Sequence, residues 1–187
     1  MDSHGNYLEG NRIYRNQNVH VQVLGPGKKN VQGAKDFIRT ILPTNHIILG
    51  VGNNDITHKD PEEVLSDMQR LLQVACTKAD EVHVFSLFQR LGDNRYNQNV
   101  QLFNVKLQEL IKQTSKVQYI VADNEINARN VSLYAHDGIH FNNEGRKALV
   151  RALKHHLNER ISLKPYRRYR YKVDYRDADR YVRKSVV

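Results

Sequence analysis

The chain holds a single cysteine, Cys76. A lone thiol closes no internal disulfide, and Cys76 lies in an apolar helical pattern, so it reads as a buried thiol of a reducing compartment. No run of about 18 apolar residues occurs, which argues against a membrane-spanning helix. The first ten residues are too polar for a signal peptide. These absences predict a soluble, intracellular and most simply cytoplasmic protein, barring a targeting segment upstream. Internal repeats are lacking too. Lys28 and Lys29 follow a glycine-rich "GPG", but the second glycine and the Ser or Thr that a phosphate loop places around its lysine are missing.

What is present fits one globular domain. At 187 residues, 40% apolar and 26% charged, the chain is long enough to bury a core without disulfides or metal. Its net charge of +9 is unevenly spread. Residues 164–187 carry nine Lys or Arg against three Asp, so the tail holds +6 and the body, residues 1–163, only +3.

Strand and helix signals alternate along the body. "VHVQVLG" (19–25), "HIILGV" (46–51), "VHVFSL" (82–87) and "VQYIVA" (117–122) have the length and apolar content of buried strands. Between them, "VQGAKDFIRTIL" reads as a helix ending at Pro43. Asp60 caps a second helix, with Pro61 in its first turn and apolar residues from Val64 to Cys76 at helical spacing. Further helices are expected from about Arg95 to Thr114 and from near Asn143 through Leu157. Fourfold alternation implies parallel strands covered by helices on both faces, with the chemistry in loops beyond the strands' carboxyl ends.

Those loops hold the candidates. "DGIH" sets Asp137 three residues before His140 with Gly138 between, so the carboxylate can bond one imidazole nitrogen while the other faces a substrate or nucleophile. In "GNND", the Asn54 amide can donate to a developing oxyanion, and Asp55 can fix the loop by accepting backbone hydrogens. Gly27 of "GPG" offers a closely approachable N–H. At the start, "DSHG" presents Ser3 beside Asp2. His4 and His136 read as outer or surface residues. His136 and His140 are four apart, yet Gly138 disfavours a helical metal pair and no third ligand is evident.

In order and spacing, Ser3, Gly27, Asn54, Asp137 and His140 resemble the sequence blocks of the SGNH or GDSL hydrolase family over residues 2–149. The resemblance implies a three-layer α/β/α, flavodoxin-like fold and ester hydrolysis through an acyl-enzyme, without metal or organic cofactor. By position, Ser3 would be the nucleophile, His140 the base and Asp137 its orienting partner. The Ser3 and Gly27 N–H groups and the Asn54 side chain would form the oxyanion hole, with Asp2 and Asp55 supporting the loops. Substrates would be small-molecule, lipid or carbohydrate esters.

Two features depart from the family pattern. A hydrophobic strand normally leads into the serine, and here Met1 stands where its closing glycine would be, which suggests a truncated or misassigned start. "DSH" in place of Asp-Ser-Leu resembles the esterase-like domains encoded in the first open reading frame of some non-LTR retrotransposons. Lastly, "KPYRRYRYKVDYR" interleaves Tyr169 and Tyr171 with Arg167, Arg168, Arg170, Lys172 and Arg176. Such a strip could pair cations with phosphates and stack tyrosines on unpaired bases. Some SGNH-like domains have lost catalytic residues and bind RNA, so an RNA-binding module is the competing expectation.

Overall fold

The computed structural model describes residues 1, 3–5, 8, 13, 20–122, 125–127 and 129–160. Asp2 and the whole basic strip, including Arg167, Arg168, Tyr169, Arg170, Tyr171, Lys172 and Arg176, lie outside them.

Three apolar runs form the sheet: β1 (Thr44–Leu49), β2 (Ala79–Phe85) and β3 (Val117–Ile120). They pair in parallel in the order β1-β2-β3, with Ile47 opposite Val82 and Val82 opposite Val117. Among the described residues four helices follow from the expected signals: α1 (Val31–Thr40), α2 (Pro61–Cys76), α3 (Asn94–Lys112) and α4 (Asn143–Arg160). Asp60 caps α2 by accepting from the Glu62 N–H at 2.9 Å, and Pro61 sits where no N–H is needed.

Strand alternation divides the core into two layers. On one face Leu49, Val82, Val84 and Val117 pack against α1, α2 and α3, where Val64, Met68, Leu71 and Phe103 are fully buried. On the other, Phe85 and Ile120 pack against Leu149, Leu153 and Leu157 of α4 and against Tyr134 and Phe141 of the loop before it. Each such side chain contributes about 1.5–3 kcal/mol of burial energy, so the two layers hold the sheet from both sides.

The first expected strand, at 19–25, does not join the sheet. Its described part, His20–Gly25, has no strand pairing. A cavity of about 710 Å³ separates it from β1 and is lined by the whole of β1, by Val21 and Leu24, and by apolar side chains of α1 and α4. Neighbouring strands must approach to about 4.8 Å to form a ladder, and among the described residues none does so on this edge of β1. Among the described residues, Met1 bridges part of the cavity. Its amine donates to the Gln22 carbonyl at 2.7 Å and its carbonyl accepts from the Leu24 N–H at 3.1 Å, the two bonds of one residue in a parallel ladder. Among the described residues no helix is long and apolar enough to cross a membrane.

Candidate active site

Loops at the carboxyl ends of the strands converge through a chain of specific contacts. Beyond β1, the turn holding Asn53 and Asn54 is anchored by Asn53, which is buried and whose Oδ1 accepts from the Phe88 N–H at 2.8 Å. Phe88 lies in the loop beyond β2, and its ring meets His4 at a centroid distance of 5.2 Å. His4 belongs to a single 3₁₀ turn, Ser3–Gly5. It is itself buried, packed on Phe141 at 4.8 Å, with Nε2 3.3 Å from the Ile139 carbonyl and its ring 6.0 Å from that of His140. Ser3, half-buried, is thus carried by a turn that lies against the Asp137–His140 loop.

Within that loop, His140 Nδ1 and Asp137 Oδ2 are 2.6 Å apart. Asp137 Oδ1 accepts from the Ile139 and His140 N–H groups, each at 2.9 Å. The imidazole bond and these two N–H groups hold the Asp137 carboxyl well below the usual carboxylate range. A charged carboxylate on Nδ1 fixes the imidazole as the Nδ1–H tautomer and leaves Nε2 as acceptor. Gly138 makes the bend with φ +65°, and its carbonyl accepts from the Leu91 N–H at 2.9 Å, so the β2 loop braces the turn. His136 is exposed.

The remaining candidates lie in the loop before α1 and the turn after β1. The Asn54 amide donates one N–H to the Lys29 carbonyl at 2.6 Å, which orients the group and leaves its second N–H direction to be set by that bond. Asp55 is buried and accepts from the Val31 N–H, the first of α1, at 3.1 Å. Burial pushes its carboxyl up, with the Val31 N–H acting against it. Gly27 takes φ +72° in an exposed turn closed by the Lys28 N–H on the Gly25 carbonyl at 3.0 Å, a position that a side chain would strain. No described contact joins Gly27 directly to Ser3 or His140.

One contributor was not singled out from sequence. Asn142 accepts from the Glu144 and Gly145 N–H groups at 2.9 and 3.1 Å, capping α4, while its amide donates to the Ser132 and Tyr134 carbonyls, both at 2.8 Å. It therefore ties the segment after His140 to the loop before Asp137. The signal was available, since an Asn just ahead of "NEG" is a favoured helix cap.

Residues 5–153 match the family model of the GDSL-like Lipase/Acylhydrolase. The chain belongs to this family. Ser3 stands two residues before the matched range. Among solved structures similar to this GDSL-family chain is a candidate platelet activating factor from Streptococcus pneumonia, with a TM-score of 0.69 and 20% identity over 83% of this chain and 80% of that one. An acetylxylan esterase from Geobacillus stearothermophilus, solved as a catalytic mutant, aligns with a TM-score of 0.61 and 14% identity over 78% and 75% of the two chains. The OSK domain of Drosophila Oskar gives 0.57 and 17% over 70% and 71%. At these identities the likeness is one of fold. No curated protein matches the chain in sequence. The family match and the shared fold agree on a GDSL-type α/β architecture.

Proposed function

We propose that the protein hydrolyses carboxylic esters through an acyl-enzyme on Ser3. In this reading Ser3 Oγ attacks the ester carbonyl carbon while its proton passes to His140 Nε2. The tetrahedral oxyanion is met by the Ser3 N–H, the Gly27 N–H and the Asn54 amide. Collapse expels the alcohol, which takes the proton from His140. Water, deprotonated by the same imidazole, then releases the acid and restores Ser3. Asp137 stays ionised throughout and stabilises the imidazolium.

The observation that carries this reading is the Asp137–His140 pair, 2.6 Å apart, with its carboxylate locked by two backbone N–H groups beside the turn bearing Ser3. Short acyl esters are the first substrates to assay, acetyl esters foremost, because one structural neighbour is an acetylxylan esterase. A fluorophosphonate should add once to the protein, and Ser3→Ala should remove the adduct without lowering the melting temperature. Equal labelling and turnover by Ser3→Ala would exclude Ser3 as nucleophile. Nucleic-acid binding by residues 164–187 is a separate proposal that rests on their composition alone.

A further inference from the structure

A second cluster of side chains lies on the sheet face covered by α4, away from the loops just described. Alternation along β1 and β2 turns His46 to the same face as Ile48, and Glu81 and His83 to the same face as Phe85. Register places His46 directly opposite Glu81, and His83 opposite Ile48. From α4, His156 reaches the cluster.

Three ligand atoms converge there. His46 Nδ1 is 3.3 Å from His83 Nε2 and 3.7 Å from Glu81 Oε2, and the latter two atoms are 3.6 Å apart. These three distances form a nearly equilateral triangle, whose centre is about 2.0 Å from each corner, the bond length of zinc to imidazole nitrogen and carboxylate oxygen. Two imidazoles and one carboxylate form a donor set suited to zinc, whereas magnesium and calcium favour all-oxygen surroundings.

A third histidine, His156, completes the arrangement. His83 is fully buried, and its Nδ1 lies 3.0 Å from His156 Nε2. When Nδ1–H donates to His156, His83 is the tautomer whose Nε2 lone pair faces the other two ligand atoms. Metal-bound imidazoles are characteristically oriented by such a partner on their second nitrogen. His46 and Glu81 are partly exposed, with side-chain exposures of 33% and 46%, which gives an ion access from solvent.

We propose that His46, Glu81 and His83 form a zinc site, with water in the fourth position and His156 as the outer partner of His83. The ion would cross-link β1 to β2 near the amino-terminal halves of both strands. Its bonds are remote from Asp137 and His140, so it acts on the scaffold instead of the ester. Binding to the folded chain but not to the unfolded one would raise stability by mass action.

The test uses the full chain, stripped with a chelator and titrated with zinc chloride by calorimetry and thermal melting. Cobalt(II) serves as a spectroscopic substitute, because tetrahedral coordination gives it a visible absorption band. One equivalent of zinc should bind and raise the melting temperature, while magnesium at the same concentration should not. His46→Ala and Glu81→Gln, both at partly exposed positions, should keep the metal-free melting temperature. Each should weaken zinc binding at least as much as loss of an outer-shell partner does, about 10–100-fold, and abolish the cobalt band. Absence of a zinc-dependent shift in the intact chain overturns the proposal. So does a shift that persists in the double variant, because the ion would then be held elsewhere.

Discussion

Replacing Asp137 by Asn separates two jobs that its carboxylate performs. Asn keeps Oδ1, so it can still accept from the Ile139 and His140 N–H groups that each lie 2.9 Å away, and the turn should survive. The atom now facing His140 Nδ1, at 2.6 Å, becomes an NH₂ that donates where the carboxylate accepted. The imidazole must present a lone pair at Nδ1 and carry its proton on Nε2, the wrong tautomer for removing a proton from Ser3. Because both side chains are about half exposed, at 45% and 47%, water screens the Coulombic part of the pair and the tautomer dominates. Loss of the correct tautomer in a serine triad costs about 10⁴ in kcat, equivalent to roughly 5.5 kcal/mol at about 1.36 kcal/mol per decade. The assay is kcat/KM on p-nitrophenyl acetate for Asp137→Asn beside the parent, with thermal melts of both. A loss below about tenfold would refute the role assigned to Asp137, as would a loss fully accounted for by unfolding.

Other outcomes follow from the same geometry. Asp137, whose folded pKa is depressed, contributes stability that is complete above about pH 4 and lost as the pH falls through its folded value; melting temperatures of the parent and Asp137→Asn should therefore converge only in strong acid. Asp55 behaves oppositely: burial raises its pKa, so its contribution is greatest while protonated and is lost as the pH rises through that value. Asp55→Asn, which preserves an acceptor for Val31, should stay within about 1 kcal/mol of the parent at neutral pH, while Asp55→Ala should cost about 1–3 kcal/mol by orphaning that N–H in denaturant titrations. Gly145→Ala would set a Cβ 2.1 Å from the Leu133 carbonyl oxygen and 2.8 Å from Phe141 Cβ, and should lose about 1–3 kcal/mol in the same measurement. Deleting residues 164–187 removes six net positive charges; RNA affinity and its salt dependence should both fall, and unchanged binding would dispose of that role.

The elements that sequence made legible are those whose signals are local. Asp60 and Pro61 announce the start of α2, and the continuous apolar run at residues 46–49 announces a buried strand, because capping and burial act within a few residues. Asp137 and His140 were readable for the same reason: the partners that bond directly are three positions apart. The 19–25 segment misled because β-branched residues report a preference for strands but not whether a neighbouring strand exists to pair with. His46, Glu81 and His83 escaped notice because their meeting depends on the register between β1 and β2, which neither segment encodes alone. Alternation within "EVH" could have suggested that Glu81 and His83 share a face. Their partner on β1 needed the fold.

The cavity along β1 also changes how that strand should exchange its amide hydrogens. In a parallel sheet, successive residues direct their N–H groups to opposite neighbours, so β1 can protect only alternate amides through β2. Among the described residues no strand covers its other edge. Hydrogen–deuterium exchange resolved residue by residue should therefore show a two-beat rhythm along Thr44–Leu49, slow toward β2 and fast toward the cavity, while β2, paired on both sides, stays slow throughout.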